Sequence, residues 1–563
     1  MSAEGLKQWW RELMGTQDLV RAIDEERRAH ETLLASSVSP ALRAQLDRFE
    51  HAPSKAVEIG TLVEPPLEDR ALRVALSELY SHLLVLGESG SGKTYWLLSV
   101  LGQLLFGLRS LIVVDMKGEL VELLTERVLP TLALKLSSKE ANALLDRIVI
   151  VNPFNANYLP PLNVLVRDPT IDLDVQALDV SEAFETATEE NVSLRMGRIL
   201  AWVLRLVIGL DRGYSFEAVR RVIEDPLVAD GLVRSSSDME ARRFFLTRFR
   251  SEPPASKAAL LARIDKFLAL PVTRLALGAR QCLAFEKLLD RSLVIVSLGG
   301  APAGLASIAR FFGMILLTRF IRAIARRPVQ GSGPPGMIVC DEFQLALTHS
   351  MAAEFETVLA SMRSRNFYLW LAHQQTAQLH EHGPALRSIV LGQTGRQVVF
   401  RVPPEDARHV RHLLPTTGVV AAPRGSAKAY LDRGQELDHR SESLSKLPKR
   451  HAYFFMKGAP WDGIPFRSNT LELAPASKVP RDLFDRATQG TIAFRPDALA
   501  KARAKEASEL DAFTHSPLPK QPSLVPARPP VMVQTPTPTS HVSSTPTKPK
   551  RRRRRKKSTP TPP

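Results

Sequence analysis

The sequence predicts an α/β fold built on a mainly parallel sheet, and three observations predict it. A glycine-rich octapeptide, Gly87-Glu88-Ser89-Gly90-Ser91-Gly92-Lys93-Thr94, joins the apolar run Leu83–Leu86 to a helical pattern. Short apolar runs alternate with helical periodicity on both sides of a long helical interval. A further run, Met337-Ile338-Val339-Cys340, ends in the paired carboxylates Asp341 and Glu342.

The octapeptide fits G-x-x-x-x-G-K-[ST] in the strand-then-helix context that pattern requires. Glycines let backbone N–H groups turn inward around a phosphate, and the following helix offers its positive end. Gly87, Ser89, Gly90, Ser91 and Gly92 would form the cradle. Lys93 would reach the β- and γ-phosphates, and the Thr94 hydroxyl would ligate Mg²⁺. ATP with Mg²⁺ is the expected cofactor pair.

On a parallel sheet the end of the Met337 run faces the same edge as that loop. Asp341 suits the Mg²⁺ shell, and Glu342 suits positioning or activating a water. The next run, Tyr368–His373, delivers Gln374, whose amide could contact both the γ-phosphate and that water. On apolarity, strands are expected at His82–Gly87, Ser110–Asp115, Arg147–Asn152, Ser292–Ser297, Gly336–Glu342, Tyr368–Gln374 and Arg396–Val402. Ala452–Met456 is expected as an edge strand. Helices are expected at Lys93–Leu108, Ala306–Arg327, Ala352–Arg365 and Pro404–Leu413. Between Asp168 and Asp290 the pattern is helical throughout (Glu182–Leu210, Ser237–Arg250, Ser256–Leu270), as for an inserted all-α domain. Its arginines, Arg242, Arg243, Arg248 and Arg250, could meet substrate or simply line a solvated helix face.

The expected division is an N-terminal helical segment at 1–55, a nucleotide-binding domain at 56–167 and 291–475, and the insertion at 168–290. An extension at 476–515 and a tail at 516–563 follow. Trp9-Trp10 sits in a short amphipathic stretch that could pack or dock. The tail is rich in Pro, Thr and Ser, cannot bury a core, and is expected to be disordered. It holds eleven Lys or Arg and no acid, so the rest of the chain carries only +5 of the net +16. Such a polycation suits nucleic acid, an acidic protein surface or anionic lipid. Two cysteines far apart, Cys282 and Cys340, argue against a disulfide framework or a zinc site. The N-terminus carries both charge signs, unlike a signal peptide, and the long uncharged stretch Leu293–Ala309 is broken by glycine and proline. A cytoplasmic location is expected.

Several motifs in order resemble one family. The octapeptide is followed by Asp115-Met116-Lys117-Gly118-Glu119-Leu120, Arg127, Asn152-Pro153 and Pro161-Leu162-Asn163. Later come Ala309-Arg310, Ala325-Arg326-Arg327, Asp341-Glu342-Phe343, Gln374 with Gln378-Leu379, and Ser443-Leu444-Ser445-Lys446-Leu447-Pro448. Over about residues 60 to 475 this is similar to the type IV secretion coupling proteins, the TraD/TraG-like ATPases of conjugation, within the HerA/FtsK motor superfamily.

The resemblance implies a RecA-like P-loop NTPase core, a homo-hexameric ring, and ATP hydrolysis that moves DNA through its centre. It implies an arginine supplied by a neighbouring subunit, for which Arg363 is the first candidate and Arg365 the second; Arg365 could instead pair with a nearby acid. Asp115, Lys117 and Glu119 would lie close to the site. A relaxase or other secretion substrate would be a partner, and a separate membrane protein at the inner face of a bacterial membrane could dock the chain. Two departures stand out: no N-terminal membrane helix is visible, and Glu88 places a carboxylate where the family often has proline. The expected function is an ATP-driven DNA translocase acting as a coupling protein. The alternatives are a soluble HerA-like motor in DNA processing or defence, and a protein-substrate receptor that uses ATP for assembly.

Overall fold

Strands covered on both faces read as continuous apolar runs, and the central runs of this chain do so because each face has its own core. The structure is a computed structural model. It describes residues 44, 46–48, 56–63, 67–155, 159–188, 193–290, 292–299, 301, 305–329, 333–380, 384–413, 433–457, 463–469 and 496–515. Trp9-Trp10 and the basic tail lie outside these residues.

The strands are β1 (Ala56–Leu62), β2 (Ala71–Ala75), β3 (Leu83–Leu86), β4 (Ser110–Asp115), β5 (Ile148–Val151), β6 (Leu293–Ser297), β7 (Gly336–Asp341), β8 (Phe367–His373), β9 (Arg396–Val399), β10 (His451–Met456) and β11 (Ile464–Arg467). They form one sheet in the order β2-β1-β11-β10-β9-β3-β8-β7-β4-β6-β5. The seven from β9 to β5 are parallel, and the other four add antiparallel. This is the mainly parallel α/β architecture read from the sequence.

Helices used below are α1 (Lys93–Leu104), α2 (Leu173–Ala187), α3 (Leu194–Gly209), α4 (Phe216–Glu224), α5 (Pro226–Ser235), α6 (Met239–Thr247), α7 (Pro254–Leu268), α8 (Ala306–Ala325), α9 (Phe355–Ser364), α10 (Arg433–Ser445) and α11 (Pro496–His515). The period-2 alternation of strand side chains sorts the core. Leu83, Val85, Leu111, Val113, Met337 and Val339 join Trp96, Leu97 and Leu101 of α1 on one face. Leu84, Ile112, Val114, Ile338 and Leu371 join α8 and the helices of 173–268 on the other. Trp96 stacks on Trp370 at 6.4 Å between ring centroids and donates its indole N–H to Ile59 O at 2.9 Å.

Among the described residues between β5 and β6 there are helices and no strand. Capping explains where they start: Asp172, Ser193, Ser215 and Asp238 each accept a backbone N–H of the helix that follows. The expected Glu182–Leu210 helix is two helices, α2 and α3. Helices α2, α4 and α7 meet α8 through an aromatic cluster of Phe184, Phe216, Phe267 and Phe311. Arg322 of α8 donates to both oxygens of Asp179 of α2, at 2.8 and 2.6 Å.

One further expectation needs correction. Ala452–Met456 is not at an edge: β10 lies between β9 and β11, because β11, β1 and β2 extend the sheet beyond it. Those three short strands carry charged residues or proline (Glu58, Arg73, Pro465, Arg467), which hid them from an apolarity reading. The extension also contains α11, whose Glu506, almost fully buried, accepts Ser215 N at 2.8 Å and Ser215 Oγ at 3.0 Å.

Candidate nucleotide site at the carboxyl edge of the sheet

Parallel strands point their carboxyl ends at one edge, and β3, β8, β7 and β4 are consecutive neighbours there. That edge collects the octapeptide after β3, Gln374 after β8, Asp341 and Glu342 at the end of β7, and Asp115 at the end of β4. The octapeptide holds its shape through Gly92, at φ +114, where a side chain would also meet Arg450 Cα at 3.1 Å. Lys93 folds back over the loop, donating from Nζ to Gly87 O and to Glu88 O. Burial lowers its pKa, opposed by Asp341 and Glu342. Glu88, the departure noted above, ion-pairs with Arg401 Nε, and its backbone N donates to Arg401 O at 2.9 Å. The Glu88 charge is thereby met outside the cradle.

Asp115 and Asp341 stand side by side in register on adjacent strands. Asp115 caps the turn after β4: Oδ1 accepts Lys117 N at 2.9 Å and Gly118 N at 2.8 Å, and Oδ2 accepts Val121 N at 2.9 Å. Burial, then Asp115, then Glu342 push the Asp341 carboxyl up to about 7. Among the described residues the Asp341 carboxylate accepts only the Glu342 N–H, which leaves a carboxylate oxygen for a divalent cation, and Lys93, bonded only to carbonyls of its own loop, suits an incoming phosphate. Lys93 and Thr94 would thus hold the nucleotide, and Thr94 with Asp341 its magnesium.

Glu342 is buried and sits at φ +53, a left-handed conformation uncommon for a non-glycine residue. Its Oε1 accepts Lys117 Nζ at 2.8 Å, and its Oε2 accepts Gln344 Nε2 at 2.7 Å. Gln344 Nε2 also donates to Gln378 Oε1 at 3.0 Å, which joins β7 to the segment after Gln374. Gln374 is half-buried beside the loop, since the carbonyl before it, His373 O, accepts Gly87 N at 3.3 Å.

Arg363 is not brought to this edge. It lies exposed at the end of α9, before β8 begins, and its charge acts on His82, which precedes β3. That is the amino edge of the sheet, so within one chain it cannot reach the phosphate loop. Arg365 bonds to Arg327 O, Ser361 O, Ser361 Oγ and Ser364 Oγ, carbonyls and hydroxyls rather than an acid. Of the helical arginines, Arg250 donates to both oxygens of Asp230 at 2.9 Å.

Sequence reasoning missed one residue here and left another, named in a motif, without a role. Arg450 N donates to Ser91 O at 2.7 Å, directly after the Ser443–Pro448 motif. Leu444 of that motif is buried against Leu86, Val399 and Val410, which anchors the segment beside the loop. Asn163 of Pro161-Leu162-Asn163 is a buried clamp, donating from Nδ2 to Gly213 O, Tyr214 O and Ala279 O at 3.0, 3.0 and 2.7 Å.

Residues 57–266 match the family model described as "Helicase HerA, central domain". Among solved structures, the plasmid coupling protein TrwB in complex with the GTP analogue GDPNP is 14% identical, with 77% of this chain and 94% of that chain covered at a TM-score of 0.47. TrwB in complex with ADP and Mg²⁺ is 14% identical, with 74% and 91% covered at 0.46. VirB4 of Thermoanaerobacter pseudethanolicus is 10% identical, with 74% and 97% covered at 0.46. No curated protein matches the chain. Among the described residues no helix is long and apolar enough to cross a membrane.

Proposed function

Because residues 57–266 match the central domain of the HerA helicases, we propose that the chain is a P-loop motor that hydrolyses ATP to move DNA. The observation that carries the reading is the meeting of Lys93, Asp341 and Glu342 at one sheet edge. Lys93, with the inward N–H groups of the loop, binds and orients the phosphates. Thr94 and Asp341 would hold magnesium, which when bound would supply charge neutralisation for the phosphates. Glu342 takes up the proton of the attacking water, and Gln374 orients that water. Arg363, at the opposite edge, serves a neighbouring subunit, as a ring would require.

Within this reading, the ordered series Asp115–Leu120, Asn152-Pro153, Pro161–Asn163 and Ser443–Pro448 favours a conjugative coupling protein that delivers relaxase-bound DNA to a secretion channel. The family match itself favours a second reading, a HerA-type motor in DNA processing.

The test is ATP hydrolysis by the purified chain with and without DNA, beside Lys93→Ala and Glu342→Gln. DNA stimulation that both variants abolish supports the motor. Hydrolysis indifferent to DNA moves the reading to a receptor for protein substrates.

A further inference from the structure

A general base must offer an oxygen to the attacking water, and each oxygen of Glu342 already accepts a donor that the water must share or displace. Lys117 Nζ holds Oε1 at 2.8 Å and Gln344 Nε2 holds Oε2 at 2.7 Å. The two ends of the ion pair differ in exposure: the Glu342 side chain is 3% exposed and that of Lys117 is 47%. The lysine is therefore the partner that can leave into water, while the carboxylate stays in place.

The lysine is also carried by a turn that touches a distant element. Gly118 sits at φ +96, and a side chain there would meet Gly299 Cα at 2.9 Å. A side chain at Gly299 would fall 1.9 Å from the Lys117 carbonyl carbon, so the two backbones are in direct contact. Gly299 closes β6 shortly before α8, and α8 is the helix that packs on α2 of the helical interval. α8 also touches the residue before Lys117, since a side chain at Gly313 would meet Met116 Sδ at 2.6 Å, so a shift of α8 can reach the turn that carries the lysine.

We infer that Lys117 is a positioning residue that holds Glu342 in a resting state and restrains hydrolysis until DNA engagement moves the turn. The inference rests on the ATPase reading above and adds a regulatory contact to it. Removing the cation frees Oε1, which raises the DNA-free rate without altering how the phosphates are held.

The experiment measures kcat and KM for ATP of the full chain, with and without DNA, in wild type, Lys117→Met and Lys117→Arg. Binding of a fluorescent ATP analogue to each shows that the site is folded, and Lys117→Gln stands in if the Met variant does not fold. Lys117→Met is expected to raise DNA-free kcat about fivefold or more, to leave KM within about twofold, and to shrink the stimulation by DNA by the same factor. Lys117→Arg is expected to keep the low DNA-free rate, because it retains a cation. A DNA-free kcat that is unchanged or lower in Lys117→Met, while wild type responds to DNA, overturns the restraint and leaves the motor standing. Wild type that binds the analogue yet never hydrolyses ATP removes the motor reading, and the restraint with it.

Discussion

Arg450 donates its backbone N–H to Ser91 O at 2.7 Å, so the chain that leads into β10 grips the phosphate loop from outside. Arg450 itself sits at φ +66, and its Cα backs onto Gly92. The loop is thus clamped by a segment more than 350 residues further along the chain.

That clamp makes Gly92 hard to replace. Gly92→Ala places a Cβ at φ +114 and against Arg450, a strain on the order of 1–3 kcal/mol. Nucleotide affinity is expected to fall by about tenfold or more, measured by titration with a fluorescent ATP analogue. Arg450→Gly keeps the donated N–H and accepts a positive φ, so binding should change little.

Arg363 and Arg365 separate cleanly. Arg363→Ala removes an exposed side chain and should leave the unfolding midpoint unchanged while lowering kcat about a hundredfold or more. Mixing it with Lys93→Ala protein should recover activity, because each subunit then supplies what the other lacks. No recovery from the mixture would remove Arg363 as a residue acting across subunits. Arg365→Ala should cost stability instead, by about 1–2 kcal/mol, through its lost bonds to Ser361 and Arg327 O.

Asn163→Ala leaves three buried carbonyls without their donor, and also frees Leu165 N, which donates to Asn163 Oδ1 at 3.0 Å. The expected loss is about 2–4 kcal/mol, read as a lower urea midpoint. Since Asn163 is far from the phosphate loop in the fold's wiring, KM for ATP in the surviving folded protein should be unaffected.

His82 predicts a pH dependence. Its Nδ1 accepts Leu369 N–H at 3.0 Å and its Nε2 faces Leu359 O at 2.8 Å, so the neutral ring with Nε2–H satisfies both. Burial is the main cause that lowers its pKa to about 4, below the 6.5 of a free imidazole. The unfolded chain therefore binds the extra proton first as pH falls. Stability from His82 is fully present above about 6.5 and is lost as pH drops towards 4, by at most about 3 kcal/mol. His373, fully buried and lowered to about 4 by burial, adds in the same direction. Urea midpoints across this window should fall with acid, and His82→Gln should flatten part of the slope; an equal slope in the variant would sink the assignment.

Much of the site was legible because its residues sit at strand ends. Leu83–Leu86 and Met337–Cys340 are apolar runs, and in a parallel sheet whatever follows such a run faces the same edge. Gly87–Thr94, Asp341, Glu342 and Gln374 were located in this way. Lys117 was placed near the site only by the family resemblance, without a role, and Arg450 not at all, because their contacts with Glu342 and Ser91 join residues 225 and 359 positions apart across loops with no periodic signal. The three outer strands β1, β2 and β11 were hard to read for another reason: half-buried strands at a sheet margin carry charges and proline, and β1 at Ala56–Leu62 shows only partial alternation.

Hydrophobic periodicity and local turn chemistry act within a few residues of each position, so the parallel α/β core, the phosphate loop and the pair of acids are written into short segments. Which donors hold Glu342, what clamps the phosphate loop, and that Arg363 faces away from it emerge only once the strands are packed together. Those outcomes depend on strand order, which is set by burying two faces of one sheet at once and is not carried by any single segment.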